Sequence, residues 1–167
     1  MKTLHLIFIM VILALPFYPA SAQVVDQEPA YDVVTSPVDL LASYYNAINR
    51  QEYPRAYGYW ETPPDPYNDF VNGFADTVRV QVIVEPPTFV DAAAGSQYVQ
   101  VSTVLIADHS NGTQTTFVGC FTARRSNLQP LDVPEEALLW QLYNADIEQV
   151  SNNARIPTLL DEGCSVP

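Results

Sequence analysis

Acid–base chemistry needs a carboxylate or an imidazole held beside a donor that can steady developing negative charge. Few residues in this chain of 167 are placed to offer that pair. Beyond the N-terminal stretch the histidine is His109, next to a predicted turn, where a solvent-exposed imidazole is expected. Asp65, Asp69 and Asp76 fall around a predicted third helix, and Asp146 lies on the last predicted strand. Asp65 reads more simply as a helix cap, Asp69 as a first-turn acid and Asp76 as the residue before a strand. Asp146 is the catalytic candidate by position, with Tyr57 or Tyr98 as donor, although an exposed acid at a strand edge is the simpler reading. Nothing matches a phosphate-binding glycine loop, a Cys/His metal cluster or an activated serine. No cofactor and no metal are therefore expected. Asn111-Gly112-Thr113 matches the glycosylation sequon, yet a hairpin explains Asn-Gly without it, and Arg124-Arg125 reads as a solvated strand end.

The cysteines, Cys120 and Cys164, point to structure rather than catalysis. Residues 1–22 have the marks of a signal peptide: Lys2 in a short basic start, an apolar run from Leu4 to Leu15, Pro16, and Ala20-Ser21-Ala22 as the cleavage site. The run is shorter than the roughly 20 apolar residues a membrane span needs. A secreted or periplasmic protein is expected, cleaved near Ala22, and in an oxidising compartment a Cys120–Cys164 disulfide is the default. It would tie a tail, residues 151–167, to the sheet.

Removing 22 of 167 residues leaves 145, the size of one domain. That portion holds six Arg, no Lys and nineteen Asp and Glu, a net charge of 6 − 19 = −13. Such a surface repels phosphate, so nucleic acid and anionic membranes are not expected partners.

Residues 23–35 are unpatterned and read as a flexible or loosely docked lead. Ser36 then caps a helix with Pro37 at its first position and Asp39 in the first turn. Leu40, Leu41, Tyr44, Tyr45, Ala47 and Ile48 form a wide apolar face. A second short helix starts at Pro54 and repeats Tyr53, Tyr57 and Trp60; a third begins at Asp65-Pro66 and carries Tyr67, Phe70, Val71 and Phe74. From Thr77 the period becomes two, with Val78, Val80, Val82 and Val84 on one side. A short strand is expected within residues 88–96, a long one over 98–107, and a last one over 139–147.

Asn111-Gly112 is a hairpin signal. A two-residue loop there would place Ile106 opposite Phe117, Val104 opposite Gly119 and Thr103 opposite Cys120. One face would carry Tyr98, Gln100, Ser102, Val104, Ile106, Phe117 and Phe121, the other Val99, Val101, Leu105, Val118 and Cys120. A bulge would change that parity.

The run YYNAINRQEYPRAYGYW, a strand, GSQYVQVSTVLIAD, an Asn-Gly hairpin, FVGCFTARR and WQLYNADI together resemble the nuclear transport factor 2-like superfamily, especially its secreted bacterial members. The resemblance spans roughly residues 36–150. It implies an α+β domain with a cystatin-like arrangement: three N-terminal helices packed on a strongly curved antiparallel sheet, making a cone open at one end. Members include enzymes similar to ketosteroid isomerase, polyketide cyclases and scytalone dehydratase, and non-catalytic accessory domains. The enzymes use a carboxylate base with a donor, or an Asp-His pair, inside the cone, and no such motif carries over to a matching position here.

The expectation is accordingly a secreted binding or accessory domain without catalysis. Its partner would be a small apolar ligand or a protein, and a homodimer through the sheet face is a further expectation. The alternative is a small-molecule lyase or isomerase of the polyketide cyclase or ketosteroid isomerase type. Tyr45, Tyr57, Trp60, Phe74, Tyr98, Phe117 and Phe121 are the expected cavity lining.

Overall fold

A computed structural model describes residues 29–87, 89–129, 131–134 and 138–164. The expected signal peptide and residues 23–28 of the lead lie outside them. Helices come first and sheet second: α1 (Pro37–Asn49), α2 (Tyr53–Gly58), α3 (Tyr67–Gly73), β1 (Thr77–Val84), β2 (Asp91–Ala93), β3 (Ser96–His109), β4 (Gln114–Ser126), β5 (Gln141–Val150) and a closing α4 (Ile156–Glu162). The strands form one open antiparallel sheet in the order β1-β3-β4-β5, with β2 also paired to β3. This is the α+β architecture expected from the sequence, with α1 to α3 preceding the sheet.

The first helix starts as its sequence dictates. Ser36 Oγ accepts from the Asp39 backbone N–H at 3.1 Å and donates to Asp39 Oδ2 at 2.7 Å, a cap of about 1 kcal/mol. Leu40, Leu41, Tyr44, Tyr45, Ala47 and Ile48 are all buried, against Val80 of β1, Val99, Val101 and Leu105 of β3, Phe121 of β4 and Leu142 of β5. Each fully buried side chain of this kind contributes roughly 2 kcal/mol by area. At the far end of α1, the Asn49 amide takes the place of a strand. It donates to Val80 O at 2.9 Å and accepts from Val80 N–H at 2.7 Å, closing part of the free edge of β1.

Residues 29–34 are held more firmly than their mixed composition suggests. Buried Ser43 Oγ both accepts from Val33 N–H and donates to Val33 O, each at 2.8 Å. Asn46 treats Tyr31 N–H and Pro29 O in the same way, each at 2.9 Å. Arg55 donates to Tyr31 O, to Tyr59 Oη and to Asn46 Oδ1, while Tyr59 donates to Asp32. Two side chains facing a backbone across α1 thus substitute for a β-ladder.

Two local expectations need correction. The third helix begins at Tyr67 with Pro66 at its N-cap, and no side chain caps it, so Asp65 is not a cap. Val78 does not point inward: a register shift between Thr77 and Arg79 leaves it 59% exposed, and the inward alternation starts only at Val80.

The larger correction is the hairpin. Its loop has three residues, not two: His109 N–H donates to Thr113 O and Gly112 N–H donates to His109 O, each at 2.9 Å. Gly112 has φ of +81°, whereas Asn111 is not in the left-handed region, as the two-residue type would require. One added loop residue moves every pair by one, giving Leu105↔Phe117, Val104↔Val118, Thr103↔Gly119 and Ser102↔Cys120. Because side chains alternate, the faces change composition. Val99, Val101, Leu105, Ala107, Phe117, Phe121 and Ala123 face the helices. Tyr98, Gln100, Ser102, Val104, Ile106, Thr116, Val118, Cys120 and Thr122 face outward. Outward Val104 and Val118 are covered by Leu159 of α4, an element absent from the sequence expectation.

The tail is bound there covalently. Cys120 and Cys164 form a disulfide with Cα atoms 4.8 Å apart, closing a separation of 44 residues. In the chain-entropy account a loop of that size contributes roughly 4 kcal/mol. Gly163 sits where an added Cβ would overlap Ser102 Oγ, and Ser102 Oγ–H itself donates to Leu160 O at 2.5 Å.

Candidate functional site

Three of the seven expected lining residues meet at one opening on the helix side. Tyr45 of α1, Phe74 at the end of α3 and Phe117 of β4 border a pocket of about 230 Å³, together with Gly73, Thr77, Val80, Leu105, Ala107, His109 and Ile147. The elements explain the hollow. Gly73 adds no side chain, Ala107 adds only a methyl, and α3 has ended, so the sheet between His109 and Leu105 is left partly uncovered.

The other expected lining residues lie elsewhere. Trp60 and Phe121 are buried in the core, where Tyr45 meets Phe121 edge-on at 6.1 Å and Tyr44 meets Trp60 at 6.0 Å. Tyr57 packs against Phe70 and Tyr67 at 5.3 and 5.2 Å and donates to Asp65 O at 3.0 Å. Tyr98 is on the opposite face of the sheet, beside Tyr143 at 5.5 Å. The expected set is therefore divided between a pocket, a core and an outer surface. The space between the helices and the sheet is filled with aromatic and aliphatic side chains, and the pocket is confined to one end of it.

Asp146 is also outside. It pairs with Cys120 in the sheet register, is exposed, and borders an outer cleft with Glu148 and Glu162. It cannot act with Tyr57, which lies across the sheet among the helices. Asp65 and Asp69 are exposed.

His109 departs from expectation in the other direction, being only 16% exposed in its side chain. Its Nε2 lies 3.0 Å from Thr115 Oγ1, and its Nδ1 lies 3.3 Å from Asp76 Oδ2. The second approach is short but off the hydrogen-bond line, so it is a close contact rather than an aligned bond. Asp76 also accepts at its backbone O from Ser110 N–H at 2.8 Å, which joins the α3–β1 turn to the hairpin loop. Sequence reasoning separated Asp76 from His109 because 32 residues lie between them; the β1–β3 pairing Thr77↔His109 brings them together.

Electrostatically the pocket wall is quiet. Burial, with a lesser push from the neighbouring Tyr44, holds the Tyr45 hydroxyl well above its ordinary pKa of 10.0, so it stays a neutral donor. Among the described residues, no three His, Cys, Asp or Glu side chains gather as a metal site.

No family model matches the chain, and no curated protein matches it. Among solved structures it is similar to one from Streptomyces avermitilis, named as a candidate dehydratase of the NTF2-like family. The identity is 13%, the match covers 66% of this chain and 91% of that one, and the TM-score is 0.46. That is a likeness of element order at low identity. It carries nothing about substrate or reaction.

Proposed function

We propose that this protein is an exported, non-catalytic binding domain that takes a small apolar ligand at the mouth of its helix side. The observation that carries the reading is the state of His109. It is the one titratable side chain besides Tyr45 on the pocket wall, and both of its ring nitrogens face protein groups, Thr115 and Asp76. Catalysis by proton transfer needs at least two polar groups converging on a substrate. A mostly apolar hollow, whose phenol is buried and whose imidazole faces Thr115 and Asp76, suits binding better. Export is supported by the signal-like N-terminus and by the disulfide.

Calorimetry with indole as an apolar probe tests this. Phe117→Trp, which fills the hollow, should weaken indole by at least about tenfold, a loss of about 1.4 kcal/mol, while His109→Ala should leave it within about threefold, or 0.65 kcal/mol. Equal affinity in Phe117→Trp and the parent would remove the pocket from the account.

A second reading, a lyase or isomerase, draws on one observation: His109, with Asp76 behind it at 3.3 Å, and Tyr45 border the same hollow. It requires His109 to release Thr115 when ligand enters. An unchanged imidazole chemical shift on saturation with indole would count against it.

A further inference from the structure

The outer face of the sheet carries a second site unrelated to the helix-side pocket. Two adjoining clefts, of about 530 and 320 Å³, share Gln100, Thr122 and Cys164 at their boundary. Across the middle of the sheet, Gln100, Thr122 and Asn144 stand side by side on β3, β4 and β5 by register. Gln100 is exposed although β3 is a central strand, and Asn144 is exposed on β5, the last strand in the order. Such positions usually pack against something, and here they carry neutral groups that both donate and accept.

Next to this row are two tyrosines. A register shift between Thr122 and Ala123 puts Leu142 opposite Ala123 and leaves Tyr143 outside the pairing. Strict alternation would aim Tyr143 inward and Leu142 outward. The bulge reverses both: Leu142 is fully buried, and Tyr143 is 49% exposed, edge-on to Tyr98 at 5.5 Å. Arg124 lies about 6 Å from both rings, and its charge is engaged by Glu61. Phe89, 73% exposed, and Pro86 and Pro87 form the other wall.

Charge limits the occupant. Neither cleft is lined by Arg, while Glu85, Asp91, Asp146 and Glu148 border them. Anionic ligands are repelled. A purely apolar ligand would strand the amide row. A neutral polyhydroxylated chain satisfies both features, since its C–H faces stack on aromatic rings and its hydroxyls bond to amides and donate to carboxylates. We infer that the outer trough binds a neutral oligosaccharide, with Tyr98 and Tyr143 as the stacking platform and Gln100, Thr122 and Asn144 as the hydrogen-bonding row.

The test is NMR titration of the oxidised protein with cellohexaose, maltohexaose and chitohexaose, reading the side-chain amide signals of Gln100 and Asn144. At least one of the three should shift both signals in the millimolar range or tighter. Tyr143→Ala and Gln100→Ala, both exposed and away from the core, should each weaken that binding by about tenfold. Three outcomes would overturn the inference: no shift with any of the three sugars, shifts only with spermine as a cationic probe, or unchanged affinity in both variants. Because indole reports on the opposite face, failure here leaves the helix-side reading standing, and the reverse also holds.

Discussion

The two faces of the sheet are made from the same strands and end in opposite states. On the helix side, residues such as Val99, Val101, Phe121 and Leu142 are at most 2% exposed, and Phe121 meets Tyr45 edge-on in a series that runs on through Tyr44 to Trp60. On the outer side, the buried apolar material is a small island of Val104, Val118 and Leu159, and beside it runs an open trough of mixed polar and aromatic residues. The helix side is held by packing, and the outer side is held by a covalent bond and a seven-residue helix. Stability and recognition are therefore separable by face.

Mutations should divide along that line. Phe121→Ala, which leaves a cavity beneath Tyr45, should lower the unfolding free energy by about 4 kcal/mol in urea titration, whereas Thr122→Ala, its outward neighbour, should change it by less than about 0.5 kcal/mol. Equal effects would erase the distinction.

Replacing both cysteines by serine should remove up to about 4 kcal/mol. Hydrogen exchange should then rise first over α4 and residues 151–164 while α1 keeps its protection. Loss of protection in α1 at the same rate would mean that the tail supports both faces.

Gly119 tests how closely β4 and β5 approach. A Cβ there would run into the backbone of Asp146 and Ile147, which cannot move without breaking the pairing. Gly119→Ala should cost about 3 kcal/mol by the same titration.

Asn49→Ala removes both bonds to Val80 and leaves that backbone unpaired, which should cost about 2 kcal/mol. Exchange of the Val80 amide should accelerate most.

The smallest effect concerns acid. Hydrogen bonds from Ser36 and then Tyr31 hold Asp39 below its ordinary value of 3.8, and hydrogen bonds from Arg50 and then Arg55 hold Glu52 below 4.5. A lowered folded-state pKa gives stability that is present above the unfolded value and is lost as pH falls through the folded one. Asp39→Asn with Glu52→Gln should therefore flatten the decline of stability below about pH 4.5. Both groups stay partly open to solvent, which screens them, so the change in melting temperature should be small.

Much of the helix side was readable in the sequence because each of its signals is local. Ser36-Pro37 with Asp39 starts a helix, the Leu40–Ile48 spacing sets its face, and Val80 to Val84 alternate as a half-buried strand. The outer side was not readable, because it depends on counting across loops. One extra hairpin residue exchanged Phe117 and Phe121 with Val118 and Cys120, and the β5 bulge redirected Tyr143. Neither leaves a composition signal. The tail helix offered only Ile156-Pro157 with Leu159 and Leu160, too short a run for periodicity to speak. The Asp76–His109 contact depends on pairing across β1 and β3, which no spacing rule anticipates.

The central claim is that the helix-side hollow receives an apolar ligand while the filled interior and the outer face do not. Methyl NMR during an indole titration tests it directly. Shifts concentrated at Val80, Leu105 and Ile147, with Val104, Val118 and Leu159 unmoved, are the predicted result. Shifts concentrated at Val104, Val118 and Leu159, or none at saturating indole, would contradict it.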